Sequence, residues 1–212
     1  MFKKITTNPI SILLTLALVV GSGCAKVYYS PDAQSLASRH KKIAIIPPKV
    51  SIAPRKNSDL QALKEQQKLE SVNFHQEIYS WLLRRKMQNK MRVEVLDLET
   101  TIAKLKEVGY PEERTLTPVE LQDLLGVDGI LTSNFSLSKP MSEGGAIALG
   151  LILGVWGATN EVVVGMEIYD RPKEKVIWSF NHKLSGSTFS TPARLVDQLM
   201  RQASKKMPYI SK

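Results

Sequence analysis

The chain has 212 residues, a formal net charge of +9 from 29 Lys and Arg against 20 Asp and Glu, and a single cysteine. One cysteine excludes an internal disulfide and any zinc site built on several thiolates. Apolar residues make up 43% of the chain, an ordinary globular share, and the length suits one domain with a real core.

The first 24 residues set the destination. Lys3 and Lys4 form a basic start, Ile10 to Val20 (ISILLTLALVV) is an uncharged apolar run, and Gly21-Ser22-Gly23 lead into Cys24. A charged start, an apolar middle and small residues at the end are the parts of a secretory signal. A spanning helix needs about 20 apolar residues, so this shorter run reads as cleaved. A lone thiol in an exported chain has no partner of its own and needs another explanation. Small residues directly before Cys24 resemble the lipobox of bacterial lipoproteins, although Gly21 stands where that box usually has Leu. The resemblance implies that residues 1–23 are removed and that Cys24, as the new N-terminus, carries acyl chains on its thiol and amine. Each buried methylene would add about 0.8 kcal/mol of membrane attachment, and durable anchoring takes more than one chain. The other reading is an ordinary signal cut after Ala25, with Cys24 lost.

Without residues 1–23, the chain keeps 189 residues and a charge of +7. The basic residues are spread in small groups such as Arg84-Arg85-Lys86 and Lys205-Lys206. Such a balance suits proximity to anionic lipid, glycan or polymer. Export argues against nucleic acid as a partner.

Residues 24–40 are polar and mixed and read as a tether, which puts the folded domain at 41–212. Lys42 to Ile46 is an apolar run stopped by Pro47-Pro48, as expected of a strand covered on both faces, and it resumes at Lys49 to Ile52. Ser58 with Gln61 reads as a capping box for a long helix running toward Lys90, with a candidate break at Val72-Asn73. Its second half lines up Phe74, Ile78, Trp81 and Leu82 at helical spacing. Arg84, Arg85, Lys86 and Lys90 gather at its end. There they either answer the helix dipole or meet a phosphate or glycan.

Arg92 to Leu96 alternates as a second strand. Asp97 caps a helix ending at Val108, with Gly109 and Pro111 beyond it. Thr117-Pro118-Val119-Glu120 combines a cap, a first-turn proline and a capping-box acid for a helix ending at Gly126. Asp128 to Ser138 is the third strand. Asn160 to Tyr169 and Lys175 to Leu184 are the fourth and fifth, joined by the polar turn 170–174 into an antiparallel hairpin. Thr191-Pro192 opens a last helix with Leu195, Val196, Leu199, Met200, Ala203 and Met207 as its buried stripe. The expected fold is α/β, in the order β-α-β-α-α-β-β-β-α: a mixed sheet of about five strands covered by helices, with an apolar Gly-rich insert.

That insert, 144–158 (GGAIALGLILGVWGA), repeats Ala146, Gly150, Gly154 and Ala158 every fourth residue. On a helix the spacing makes a smooth face for close packing or interaction. At about 1.5 Å per residue it reaches roughly 22 Å, short of a full span. Three readings stand: a flap inside the domain, a contact with another subunit or partner, or a dip into the membrane.

No sequence motif points to catalysis. His40, His75 and His182 are far apart, and His182 falls on an apolar strand face as a satisfied core histidine. Ser185-Gly186-Ser187 lacks the second glycine of a nucleophile elbow. No phosphate loop and no paired Glu/His metal motif appears. The chain therefore reads as a non-enzyme with no cofactor and no metal.

Several stretches resemble the envelope lipoproteins related to CsgG, the curli-secretion lipoprotein. These are Lys42 to Pro48, Leu125-Gly126-Val127-Asp128-Gly129-Ile130-Leu131, Tyr169-Asp170 with Lys175 to Trp178, and Leu195 to Tyr209. The resemblance covers about residues 41–209. It implies a periplasmic α/β domain anchored to the outer membrane through lipid on Cys24, acting without catalysis, as a secretion channel or as an activator of peptidoglycan synthases like LpoB. Ala25 after the cysteine resembles outer-membrane sorting. The expected partners are membrane lipid, a protein of the cell envelope and, in the runner-up reading of an oligomeric secretion pore, further copies of the chain. The insert does not alternate polar with apolar residues as a barrel wall would, which counts against a channel.

Overall fold

A computed structural model describes residues 25–54, 59–138, 160–186 and 191–211. Cys24 and the stripe Ala146, Gly150, Gly154 and Ala158 lie outside the described residues.

Seven strands form one mixed sheet: β1 (Lys26–Tyr29), β2 (Lys42–Ile45), β3 (Lys49–Ile52), β4 (Glu94–Val95), β5 (Gly129–Leu137), β6 (Asn160–Asp170) and β7 (Lys175–Gly186). The order across the sheet is β1-β7-β6-β5-β2-β4, with β3 also paired to β5. The pairs β1–β7, β7–β6 and β6–β5 are antiparallel, whereas β2 and β3 run parallel to β5 and β4 runs parallel to β2. Among the described residues five α-helices accompany the sheet: α1 (Ala33–Ala37), α2 (Leu60–Met87), α3 (Leu98–Glu107), α4 (Pro118–Leu125) and α5 (Pro192–Ala203). The fold is thus α/β with a mixed sheet and helices on both faces.

Alternation along the strands assigns the two faces. Ile43 and Ile45 of β2 point into a large core with α1, α2 and α5, while Ala44 and Ile46 point into a smaller one with α3 and α4. In the large core, Phe74 of α2 stacks on Phe135 of β5 with ring centroids 4.2 Å apart. The residues just past β2 explain why β2 and β3 are separate: Pro47 and Pro48 offer no N–H to a ladder.

Local signals set most element ends. The Thr117–Glu120 capping box closes α4 at its start, and Gly126 ends it in the left-handed region at φ +68°. Asp97 caps α3, and Thr191 caps α5 through its bond from the Arg194 N–H. The hairpin forms as expected, with one irregularity near Ile168/Tyr169. That irregularity takes Val176 out of the buried row, so Ile177 and Trp178 are both buried while Val176 is only half-buried.

Four expectations are corrected. The cap of α2 is Asp59, which accepts from the N–H groups of Gln61 and Ala62. Helix α2 is unbroken at Val72-Asn73. Its buried positions Leu63, Gln66, Glu70, Phe74 and Ile78 keep three-to-four spacing straight through, and packing outweighs weak local propensity. The second strand shrinks to two residues. The described part of the 24–40 tether is no tether: Lys26–Tyr29 pairs with β7, and Ala33, Leu36 and Ala37 are buried in the core. Val27-Tyr28-Tyr29 are good strand formers, and pairing satisfies the edge of β7.

Candidate functional site

One buried polar constellation joins three distant parts of the chain. His40 follows α1, Asp170 ends β6, and Tyr209 lies in the C-terminal tail. The His40 ring bonds Asp170 Oδ1 through Nε2 at 2.7 Å and the Tyr209 hydroxyl through Nδ1 at 2.6 Å. All three residues are buried. An ionised carboxylate can only accept, so Nε2–H donates to Asp170; with the ring neutral, the Tyr209 O–H donates to Nδ1. Asp170 Oδ2 also accepts from the Lys173 N–H at 2.7 Å, which ties the β6–β7 turn to the same group. Gly129 makes the space: a Cβ there would lie 2.7 Å from His40 Nδ1 and 2.8 Å from the Tyr209 hydroxyl. Beside it, Asp128 accepts from the N–H groups of Lys41 and Lys42 at 2.7 and 3.0 Å and fixes the start of β2.

The order Asp–His–hydroxyl invites comparison with a nucleophilic triad, but the chemistry runs the other way. Burial, followed by the charges of Asp170 and Asp128, pushes the Tyr209 phenol well above its ordinary value of 10. A nucleophile needs its anion favoured, and here the anion is disfavoured. The constellation is a latch that closes the chain's C-terminal tail onto the sheet. In the sequence, His40 stands 130 and 169 residues from these partners, so nothing local marks the constellation. The one local sign was a Gly, Gly129, at a strand start where a β-branched residue would be ordinary.

The other histidines have structural surroundings. His75 lies in the core and donates from Nε2 to the Ile45 carbonyl at 2.8 Å; burial lowers its pKa from 6.5. His182 is buried on the expected face and touches the Phe180 ring, but its Nδ1 has no hydrogen-bond partner among the described residues. It is therefore a core histidine without the expected satisfaction, and desolvation lowers its pKa. Of the basic group at the end of α2, Arg85 lies 4.4 Å over the Trp81 ring and Lys86 pairs with Glu94, while Arg84 and Lys90 are exposed. Among the described residues, no group of three or more His, Cys, Asp or Glu could hold a metal.

The second candidate is a surface. Helices α3 and α4 cover only the β2 side of their face. The rest of that face, on β5, β6, β7, β1 and β3, carries exposed and half-buried side chains in cross-strand rows among the described residues. One row runs Tyr28, Ser179, Glu167, Thr132; the next Lys26, Asn181, Gly165, Asn134, Lys49; the third Lys183, Val163, Ser136, Ser51. Tyr28 is 52% exposed and Val163 44%. The Ser51 hydroxyl donates to that of Ser136 at 3.0 Å, and Lys183 pairs with Glu161 at 2.8 Å. An antiparallel region with one face on the core and one open is a stable arrangement. It offers short polar side chains and one exposed aromatic ring to a partner, with no convergent acid–base pair. The alternation that produces it was readable in the sequence; which face the helices would leave open was not.

Among the described residues no helix is long and apolar enough to cross a membrane. No protein family matches the sequence, and no curated protein matches it either. Among solved structures, the chain is similar to lipoprotein GNA1162 of Neisseria meningitidis, at 16% identity over 78% of this chain and 99% of that one, with a TM-score of 0.45. It is similar to the PelC dodecamer of Paraburkholderia phytofirmans at 12% identity over 89% and 100% of the two chains, TM-score 0.43. It is also similar to the LpoB C-terminal domain of Salmonella enterica at 12% identity over 72% and 94%, TM-score 0.35.

Proposed function

We propose that this protein is a lipid-anchored, non-catalytic component of a bacterial cell envelope, held at the periplasmic face of the outer membrane by acylated Cys24, and that it binds an envelope protein through its open sheet face. The observation that carries the reading is the junction at residue 24. Everything before Cys24 has the make-up of an export signal, while Ala25 packs against the large core and Lys26 pairs with Asn181 of β7. Cleavage before Cys24 would make that cysteine the N-terminus, one residue ahead of packed chain. The lipobox resemblance supplies the chemistry for that position. The buried Tyr209 phenol, whose anion is disfavoured and whose hydroxyl bonds His40, suits a structural role for that constellation.

Photo-crosslinking in intact cells tests the partner. A photoreactive residue at Asn181 or Asn134, on the open face, should give one discrete adduct with another envelope protein. The same residue at Glu112, beyond α3, should not. Equal adducts from both positions, or none from the open face, would remove the sheet from the account. An adduct of two copies of this chain would favour self-assembly over a foreign partner.

A further inference from the structure

We propose that the outer face of helix α2 is where a second copy of this chain docks, the two α2 helices packing antiparallel about a two-fold axis beside Gln76. This surface lies across the sheet from the open strand face, and its use does not depend on an anchor at Cys24.

The 28-residue helix α2 buries one row, which includes Leu63, Phe74, Ile78 and Trp81, against the large core. A helix that only roofs a core carries polar residues on its other side. Helical spacing instead puts Leu69, Val72, Leu83 and Met87 on that outer side. Leu69 is 44% exposed, Val72 48% and Met87 83%, and Leu83 is half-buried. Single exposed apolar residues are ordinary, but four in one line along a helix mark a contact surface.

The spacing of the line points to its own copy as the occupant. Counted outward from Gln76, the outer face steps four, three and four residues each way: to Val72, Leu69 and Glu65, and to Ser80, Leu83 and Met87. A pattern that reads the same in both directions is what a two-fold interface needs, since each patch must fit itself. Antiparallel packing about Gln76 sets Leu69 against Leu83 of the second copy. Val72 then meets Ser80 of the second copy, and the two Gln76 amides meet at the axis, where each can donate to and accept from the other. The charges favour the same direction. Glu65 is exposed at one end of the line, and Arg84 and Lys90 are exposed at the other with no carboxylate partner among the described residues. Reversal brings Glu65 of each copy to the Arg84 end of the other, whereas parallel packing would stack like ends. The nearby bases are otherwise placed: Lys68 pairs with Glu112 at 3.2 Å, Lys86 pairs with Glu94, and Lys64 lies a third of a turn off the line.

The test is disulfide trapping in the full chain. Cys24 is the only native thiol, so Cys24→Ser with Gln76→Cys leaves one, at the proposed axis. Helices packed 8–10 Å apart bring facing Cα atoms within disulfide range. Freshly broken cells treated with copper–phenanthroline should give a band at twice the chain's mass. The same thiol at Lys173, in the β6–β7 turn, should give none. Adding Val72→Glu should abolish the band, and a thermal melt within the range of surface changes will show that the fold is intact. Glu65→Arg should cut the band by about fivefold, because the axis applies each exchange twice. Glu65→Arg together with Arg84→Glu should restore it. Equal bands from 76 and 173, a band that survives Val72→Glu, or an adduct of any other mass would overturn the second copy as occupant. A double exchange that fails to restore the band would overturn the antiparallel arrangement. Each outcome is read in chains without Cys24, so a failure of the anchor leaves this test unaffected.

Discussion

Replacing Tyr209 by Phe removes one oxygen from the latch and leaves the ring in place. The hydroxyl bonds His40 Nδ1 at 2.6 Å in a buried site, so the variant strands a ring nitrogen without a partner. Leaving a buried polar atom unsatisfied costs about 1–3 kcal/mol. In a domain of this size 1 kcal/mol is worth about 2–4 °C, so a central cost of about 2 kcal/mol lowers the melting temperature by about 4–8 °C. Gly129→Ala should cost more. Its Cβ would sit under 3.0 Å from both the imidazole and the phenol, and those groups hold each other in place. Tyr28→Phe is the control, because Tyr28 is 52% exposed and its hydroxyl can be solvated in either state. Thermal melts followed by circular dichroism, with urea titrations to confirm an unchanged slope, measure all three. A Tyr209→Phe protein within about 0.5 kcal/mol of wild type would refute the latch, because surface changes fall in that range and a stranded buried nitrogen does not.

Two further outcomes follow from the core and the histidines. Phe74→Ala removes a fully buried ring stacked on Phe135 and should cost about 3–5 kcal/mol in urea denaturation, with Phe74→Leu recovering much of it. Burial holds His75 and His182 below the ordinary 6.5, so the unfolded chain binds their protons more readily than the folded one. Stability should therefore fall as pH drops below about 6.5, and continue to fall until the depressed folded values are passed. His75→Gln should lower stability at neutral pH and flatten that slope; urea midpoints at about pH 7.5 and about pH 5.5 compare the two. A slope unchanged by the substitution would mean that His75 is not among the groups that set it.

What the sequence made legible was what neighbours in the chain decide. The Thr117–Glu120 box, the left-handed Gly126 and the hairpin around 170–174 are fixed by residues a few positions apart, and they fold as read. The stripe of α5 was visible for the same reason. The tether was misread because Lys26, Ser30, Asp32 and Gln34 make the segment look solvated, although Val27-Tyr28-Tyr29 suit a strand and Ala33, Leu36 and Ala37 share one helical face. Its partner, β7, lies some 150 residues on, and only tertiary pairing converts those weak preferences into structure. The latch was invisible because Tyr209, His40 and Asp170 meet only when the sheet has formed. The open face needed both the alternation of β5 to β7 and the knowledge that α3 and α4 stop at the β2 side.

The account stands most directly on the chemistry of one sulfur. Cells expressing the protein should be fed an alkyne analogue of palmitate, and the wild type compared with Cys24→Ser. The expected result is label on the wild-type band alone, with that protein in the membrane fraction and the serine variant unlabelled and released from it. A mature wild-type protein that carries no label and stays in the soluble fraction would contradict the anchor and the envelope role built on it.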